Sequence, residues 1–301
     1  MPGEGRYREL FEDDAGLISE AEWRSRIVSI KAKVDPAIPE QIDPCLVGAV
    51  LRRSSKPVAL LCSGGVDSSL LALLFDQTKA SSMAFCVGIK GCSDIAAAKQ
   101  AASLLGVDIL IKEVSIKEIQ QTIETLHPVL RPCLSHPQNL AVLYGVAAVE
   151  WVAISLAKEH GFSVIIGGLG SEEIFAGYTR HANASDINEE CWRGLEAMWS
   201  RDLVRDAAIG KCLGVKLQTP FLDKELIRTA MGLDGSLKIV DGVKKACLRH
   251  AAVRLGLPKE IAFRPKKAAQ YGSGFDCSIE KLSKAAGFRS KHEFLSKNLC
   301  G

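Results

Sequence analysis

Short, wholly apolar runs alternate with longer mixed stretches through the first half of the chain. Residues 58–62 (Val-Ala-Leu-Leu-Cys), 82–88 and 164–166 lack a polar face, as expected of strands covered on both sides, and 107–114, with Asp108, Lys112 and Glu113 among apolar residues, reads as a further strand. Between them lie a helical pattern after residue 66, an alanine-rich helix over 94–105, and a long apolar helix over about 138–160. Strand and helix in alternation predict a parallel sheet with helices on both faces, right-handed crossovers and a ligand at the carboxyl ends of the strands. Upstream, Ser19-Glu20-Ala21-Glu22 has the form of a capping box and predicts a helix over 19–33, with Trp23, Ile27 and Ile30 on one face. A second short helix is predicted over 45–51, and residues 1–18 are polar and expected to fray. His127-Pro128-Val129-Leu130-Arg131-Pro132-Cys133 predicts a structured loop, with no Ser, Cys or metal-spaced partner for its histidine. Beyond Gly177 the pattern is mostly helical (189–208, 224–231, 244–255 and from 278), so a helical part resting on the sheet is expected.

The run after the first strand, Ser63-Gly64-Gly65-Val66-Asp67-Ser68-Ser69, changes this from a fold to a site. A strand enters a glycine turn that opens a helix. The glycines allow close backbone approach to an anion, and the helix start offers unpaired N–H groups and a positive dipole end. Ser63, Ser68 and Ser69 add hydroxyl donors. A carboxylate at Asp67 beside phosphates requires a cation between them, and Mg²⁺ is the usual one. The loop reads as a pyrophosphate cradle. It lacks the Gly-Lys-Ser/Thr ending of a Walker loop and the spacing of a dinucleotide fingerprint.

Composition bounds the rest. The 301 residues, 47% hydrophobic and 24% charged, suffice for a large core. The stretch 140–157 is interrupted by Tyr144, Glu150 and Ser155 and falls short of a clean membrane span, and the first residues are polar with no signal peptide; no membrane is expected and the cytoplasm is the default location. Ten scattered cysteines without a Cys-x-x-Cys pair read as buried thiols rather than disulfides or a zinc or iron–sulfur site. A net charge of +3 is too mild to imply nucleic acid by itself and does not exclude RNA.

The order of the Ser63–Ser69 loop resembles that of enzymes that split ATP into AMP and pyrophosphate. Four further stretches stand in the order seen in the synthetase domain of asparagine synthetases: Gly167-Gly168-Leu169-Gly170-Ser171-Glu172-Glu173 with Gly177-Tyr178, Arg205-Asp206 leading to Pro220-Phe221-Leu222-Asp223, Lys245-Ala246-Cys247-Leu248-Arg249, and Arg264-Pro265-Lys266. The resemblance covers residues of about 40 to 275 and implies an α/β fold of the adenine nucleotide alpha hydrolase type, a doubly wound parallel sheet with a mostly helical C-terminal part. It divides the chain into an N-terminal helical extension, 1–40, and a synthetase-like domain, 41–301. It implies ATP and Mg as cofactors. Ser63, Gly64, Gly65, Asp67, Ser68, Gly167 and Gly168 would lie along the nucleotide, and Val87 and Gly88 would form its adenine-side edge. Asp67 and Glu172 would share the metal. Lys266 matches the family's transition-state lysine and Lys245 a phosphate-contacting one, while Pro220–Asp223 reads as architectural, with Asp223 capping the next helix.

Two departures qualify what is implied. About forty residues precede the synthetase-like region, with no N-terminal cysteine, so the chain is expected to lack its own glutaminase; a separate glutaminase or ammonia source, and a second copy of the chain, stand as candidate partners. Leu169 occupies the position of a family glutamate assigned to the reacting centre, and leucine does no acid–base work. This change and the run 264–274 stand closer to asparagine synthetase domain-containing proteins, and a relative that closes a β-lactam ring also lacks the glutamate. The expected activity is AMP-forming activation of a small-molecule carboxylate, aspartate by default, for amidation by ammonia or another amine. A tRNA-modifying adenylating enzyme and a nucleotide-binding scaffold are the alternatives.

Overall fold

Each of the predicted apolar runs needs cover on both faces, and parallel pairing between helical layers supplies it. The computed structural model describes residues 7–136, 139–265 and 268–298. Five strands, β1 Val58–Leu61, β2 Ser82–Gly88, β3 Ile109–Glu113, β4 Val164–Ile166 and β5 Lys216–Gln218, form one parallel sheet in the order β3-β2-β1-β4-β5. Leu60 pairs with Ala84 on one side and Ile166 on the other. The chain therefore moves outward from β1 to β3 and returns to the far side of β1 at β4. That reversal opens a crevice at the carboxyl ends of β1 and β4, where open α/β sheets bind ligands.

The helices are α1 Glu20–Lys31, α2 Ile42–Leu51, α3 Val66–Gln77, α4 Ser93–Leu105, α5 Ile116–Val129, α6 Leu140–Glu159, α7 Ile187–Met198, α8 Val204–Leu213, α9 Lys224–Gly232, α10 Ala246–Arg254, α11 Phe275–Ala285 and α12 Lys291–Asn298, with shorter turns between. Strand alternation splits the core in two. Leu60, Ala84, Cys86, Val164 and Ile166 face α2, α3, α4 and α10, while Ala59, Phe85, Val87 and Ile165 face α5, α6, α8 and α11. Burying one Leu, Ile, Val or Phe side chain contributes about 1.5–3 kcal/mol, so both layers are held mainly by apolar cover. Among the described residues α6 is the one helix long and apolar enough to span a membrane, and it packs here on β1 and β2 in the second layer.

Several expectations are corrected by long-range contacts. Residues 7–18 do not fray: Glu12–Asp13 pairs with Gly16–Leu17 as a hairpin, Phe11 and Ile18 are buried, and the Glu9 carboxylate accepts two 2.7 Å bonds from Arg53. Residues 1–6 lie outside the described part. The predicted loop at 127–133 is the end of α5 followed by a 3-10 turn, Arg131–Ser135. Pro128 falls in the last turn of α5, where only one backbone bond is lost, and His127 Nδ1 lies 2.8 Å from the Tyr144 hydroxyl. The predicted helix 189–208 is two helices joined by a π turn, Trp199–Leu203. β5 was hidden within the stretch read as helical, because Lys-Leu-Gln at a sheet edge offers a single apolar residue as its signature. α10 begins at Ala246, with Lys245 as its cap at φ +57°. Asp223 does cap α9, accepting from Glu225 N at 3.1 Å, and also accepts from Arg52 and from Tyr7.

Candidate functional site

The turn after β1 is pressed against α4. Gly64 has φ +69°, and a Cβ there would fall 2.4 Å from the Ala97 carbonyl carbon, so this position takes only glycine. Gly65 caps α3, whose first hydrogen bond returns from Ser69 N to Gly65 O at 3.0 Å; the N–H groups of the first turn point out of the helix start. Ser68 Oγ accepts from Ser63 N at 3.2 Å and holds the turn's shape. Arg264 Nη1 donates to the carbonyls of Ser63 and Gly64, at 3.3 and 3.1 Å, and its Nη2 reaches Ser93 O. The loop surrounds a cavity of about 160 Å³ lined by Ser63, Gly65, Asp67, Ser68, Asp94, Gly168 and Arg264.

The turn after β4 meets it. A Cβ on Gly168 would lie 3.3 Å from Asp67 Cβ, so the glycine permits the two loops to touch. Beyond Gly170, at φ +97°, the short helix Ser171–Ile174 brings Glu172 toward Asp67. Lys245 joins the two: its Nζ lies 2.8 and 2.7 Å from the Asp67 oxygens, 2.9 Å from Ser171 Oγ and 2.7 Å from Glu172 Oε1. Asp67, Glu172 and Lys245 are each buried. Burial pulls the Lys245 pKa down from the ordinary lysine range and the Asp67 charge opposes it; the oxygen acceptors around Nζ are a shell suited to an ammonium. Gly177 lies against this contact, since a Cβ there would stand 1.6 Å from Glu172 Oε2 and 2.5 Å from Lys245 Cε.

Sequence reasoning placed a metal between Asp67 and Glu172 and put Lys245 on phosphate; the cation observed between the carboxylates is Lys245 itself. The set still suits Mg²⁺ arriving with a polyphosphate, because the two buried carboxylates offer hard oxygen donors at one point, and Mg²⁺ in such sites takes one or two carboxylates plus phosphate oxygens. Among the described residues no group of three or more His, Cys, Asp or Glu is arranged to hold a metal by protein ligands alone. Lys266 lies outside the described residues.

Val87 lines a second cavity of about 190 Å³ together with Gly167 and Gly168, under the sheet face toward α6. Gly88 does not line it: a Cβ there would meet Cys92 Sγ at 2.4 Å and the Ser273 carbonyl at 3.1 Å, so Gly88 serves close packing at the end of β2. At the β4–β5 side this cavity is bordered by Leu169 and by two carboxylates, Glu150 and Asp206. Both are held by Arg205, whose Nε lies 3.0 Å from Glu150 Oε2 and 2.9 Å from Asp206 Oδ1, with Nη1 3.1 Å from Asp202. Arg201 bridges Asp202 at 2.6 Å and Glu173 at 2.5 Å. Burial pushes the Glu150 carboxyl up to about 8 against the pull of Arg205, and burial raises Asp206 in the same direction. Of these groups the sequence reading had Arg205-Asp206 as a family motif, with Leu169 and Glu173 inside the Gly167–Glu173 motif. Arg264 was legible within Arg264-Pro265-Lys266, whereas Asp94 and Glu150, single acids in apolar helices, gave no signal beyond their isolation.

Comparison with known proteins bears on the family. The family model described as asparagine synthase matches residues 41–186 and 180–288. A putative asparagine synthetase [glutamine-hydrolyzing] 1 from Methanocaldococcus jannaschii is 30% identical over 298 residues, covering 85% of this chain and 54% of the relative. An asparagine synthetase [glutamine-hydrolyzing] from Brassica oleracea is 30% identical over 285 residues, covering 87% of this chain and 47% of the relative. The chain thus spans about half the length of the curated relatives it matches. A solved NMN synthetase from Francisella tularensis superposes with a TM-score of 0.40 at 14% identity, covering 92% of this chain and 93% of that one, a score too low to bear on function. With its model matched across most of the sequence, from the strand–loop–helix at Ser63 to the last helices, the chain belongs to the asparagine synthase family.

Proposed function

We propose that the chain is an ATP-dependent, AMP-forming ligase that activates a small-molecule carboxylate, aspartate by default, for amidation by ammonia or another amine. The observation that carries this reading is the Lys245 contact, which draws Asp67 of the first loop and Ser171 and Glu172 of the second to one point beside the glycine cradle. In this reading the triphosphate lies over Ser63, Gly64, Gly65 and Ser68, with the α3 N–H groups toward its charge, and the base lies toward Val87, Gly167 and Gly168. Mg²⁺ would be held by Asp67 and Glu172 and would offset charge on the pyrophosphate. A substrate carboxylate oxygen bonds the α-phosphorus, the α–β phosphoanhydride bond breaks, and pyrophosphate leaves with the electron pair. The amine nitrogen then bonds the acyl carbon, the carbon–oxygen bond to AMP breaks, and AMP leaves with that pair. An ammonium loses two protons along this path, one before attack and one after. Lys245, by its place between the loops, orients both carboxylates; Lys266 is assigned the charge that develops at the reacting oxygen. The nitrogen donor comes from solution or a separate glutaminase, and the cytoplasm is the setting.

The test is exchange of labelled pyrophosphate into ATP across a panel of amino acids, with and without ammonia and RNA. Exchange that depends on one carboxylate, and that falls in Lys266→Met with ATP affinity retained, supports the reading. Binding of Mg·ATP with no exchange under any of these conditions leaves a nucleotide-binding scaffold. Exchange elicited by RNA alone would make the chain a nucleic-acid-modifying enzyme.

A further inference from the structure

Lys245 stands on the border of two cavities. It bonds Asp67, which lines the cradle, and together with Glu172 it lines a neighbouring cavity of about 710 Å³. Lys244, Arg249 and Thr179 also line this outer space. Short bonds tie that wall together. Arg249 N and Nε donate to the carbonyls of Lys245 and Lys244, each at 2.9 Å, and Lys244 Nζ lies 3.3 Å from Thr179 Oγ1.

Two cations of the wall have no acid. Arg249 is 6% exposed, and its partners among the described residues are backbone carbonyls: Lys244 through Nε, Ala262 and Arg264 through Nη1. The other two buried arginines, Arg53 and Arg205, each hold carboxylates. Arg249 Nη2 has no partner among the described residues, and it is not among the orphaned atoms sealed from solvent, which places it on the cavity that Arg249 lines. Burial draws the Arg249 pKa below the ordinary arginine range, and the charge of Asp67 opposes it. Lys244 is half-buried, and its ammonium meets only the Thr179 hydroxyl among the described residues. A buried guanidinium without a carboxylate is costly, so its open nitrogen marks a place for an anion.

Position decides which anion. The attacking and leaving oxygens of a phosphoryl or adenylyl transfer stand roughly in line. A substrate carboxylate therefore approaches the α-phosphorus from the side away from pyrophosphate. In the ligase reading Lys245, Asp67 and Glu172 meet the pyrophosphate end, so the cavity beyond Lys245 lies on the leaving side. We propose that this cavity is a second polyphosphate subsite, in which Arg249, Lys244 and the Thr179 hydroxyl take hold of pyrophosphate as it passes out of the cradle. Its place in the reaction rests on the ligase reading above. Pyrophosphate presents only oxygen acceptors in its ionised form, and the three groups of this wall are donors.

Adenosine 5′-tetraphosphate is the probe, because its fourth phosphate extends past the triphosphate toward Arg249. Calorimetry on the full chain with Mg²⁺ is expected to show it binding about tenfold tighter than ATP, the worth of a hydrogen bond to a charged group. Lys244→Gln should bring the ratio of the two affinities to about one. Equal binding of both nucleotides by the wild type, or a tenfold ratio kept in Lys244→Gln, overturns the proposal. Arg249→Lys, which keeps the charge and gives up the open fork, should lower the ratio in the same way; should it not fold, Lys244→Gln decides. In pyrophosphate exchange the KM for pyrophosphate should rise about tenfold in Lys244→Gln with kcat nearly unchanged, and an unchanged KM overturns the exit role. If neither nucleotide binds, the ligase reading falls, and inorganic pyrophosphate titrated alone decides the subsite: binding weakened about tenfold in Lys244→Gln supports it, and equal binding in both chains or none in either overturns it.

Discussion

Two buried acidic nests stand at the same edge of one sheet and are built in opposite ways. At the β1–β4 crevice, Asp67 and Glu172 both meet Lys245, and the three residues come from segments far apart in the chain, Lys245 standing 178 positions from Asp67. At the β4–β5 side, Glu150, Asp202 and Asp206 share Arg205, and three of the four lie within five residues of one another around the start of α8. A lysine ammonium is a compact point charge that can shift when a metal ion or phosphate enters, whereas an arginine fork fixes several carboxylates in a plane. The first nest suits a site whose charge changes when its ligand arrives. The second suits a permanent wall, its carboxyl groups fixed in place by the guanidinium fork.

The largest effect separating them is expected at Lys245. Lys245→Met removes the buried ammonium that meets both Asp67 and Glu172 and should lower stability by about 3–5 kcal/mol in chemical denaturation. A loss under about 1 kcal/mol would show the first nest to be solvated rather than closed. Next, Asp67→Asn should weaken Mg²⁺-dependent ATP binding by about tenfold to a hundredfold, read by calorimetry, while Asp206→Asn should leave it unchanged. Equal losses in both variants would merge the nests into one site. Gly177→Ala places a methyl group where Glu172 Oε2 now lies and should cost about 1–3 kcal/mol of stability, with Mg·ATP binding weakened as Glu172 moves.

The smallest effect is a pH dependence specific to the second nest. The folded chain keeps a proton on Glu150 up to about 8, whereas the unfolded carboxyl gives it up near its ordinary value. The stability tied to this group is therefore fully present below the unfolded pKa and is lost as pH rises through the folded one. Urea titrations between pH 5.5 and 8.5 should show stability falling with pH, by at most about 1.4 kcal/mol per unit from this group, and Glu150→Gln should flatten that slope. A slope unchanged in the variant would mean that Glu150 is ionised in the folded state.

The glycine loops, the four apolar strands and the long helix α6 were readable because each has a local cause. Strands between helical layers need unbroken apolar runs, and a loop held against α4 needs glycine at Gly64. β5 and the hairpin at 12–17 were not readable, since Lys216-Leu217-Gln218 and Glu12-Asp13 are strands only because a neighbouring segment pairs with them. The site divides along the same line. Asp67, Glu172 and Lys245 could be picked out from motifs, but not that the lysine would occupy the place between the carboxylates.

The sequence by itself determined the order of the first four sheet strands and the helices between them, the glycine turn after β1 and the family, all written in spacing along the chain. The tertiary structure alone decided which charges meet: Lys245 with Asp67 and Glu172, Arg264 with the backbone of the Ser63–Gly64 turn, and Glu150 with Arg205 across 55 residues. Apolar burial is periodic because a helix or a strand presents one face at fixed intervals, so it leaves a trace in the sequence. A polar contact between distant segments has no period, and its partners are known only once the sheet has brought them to one edge.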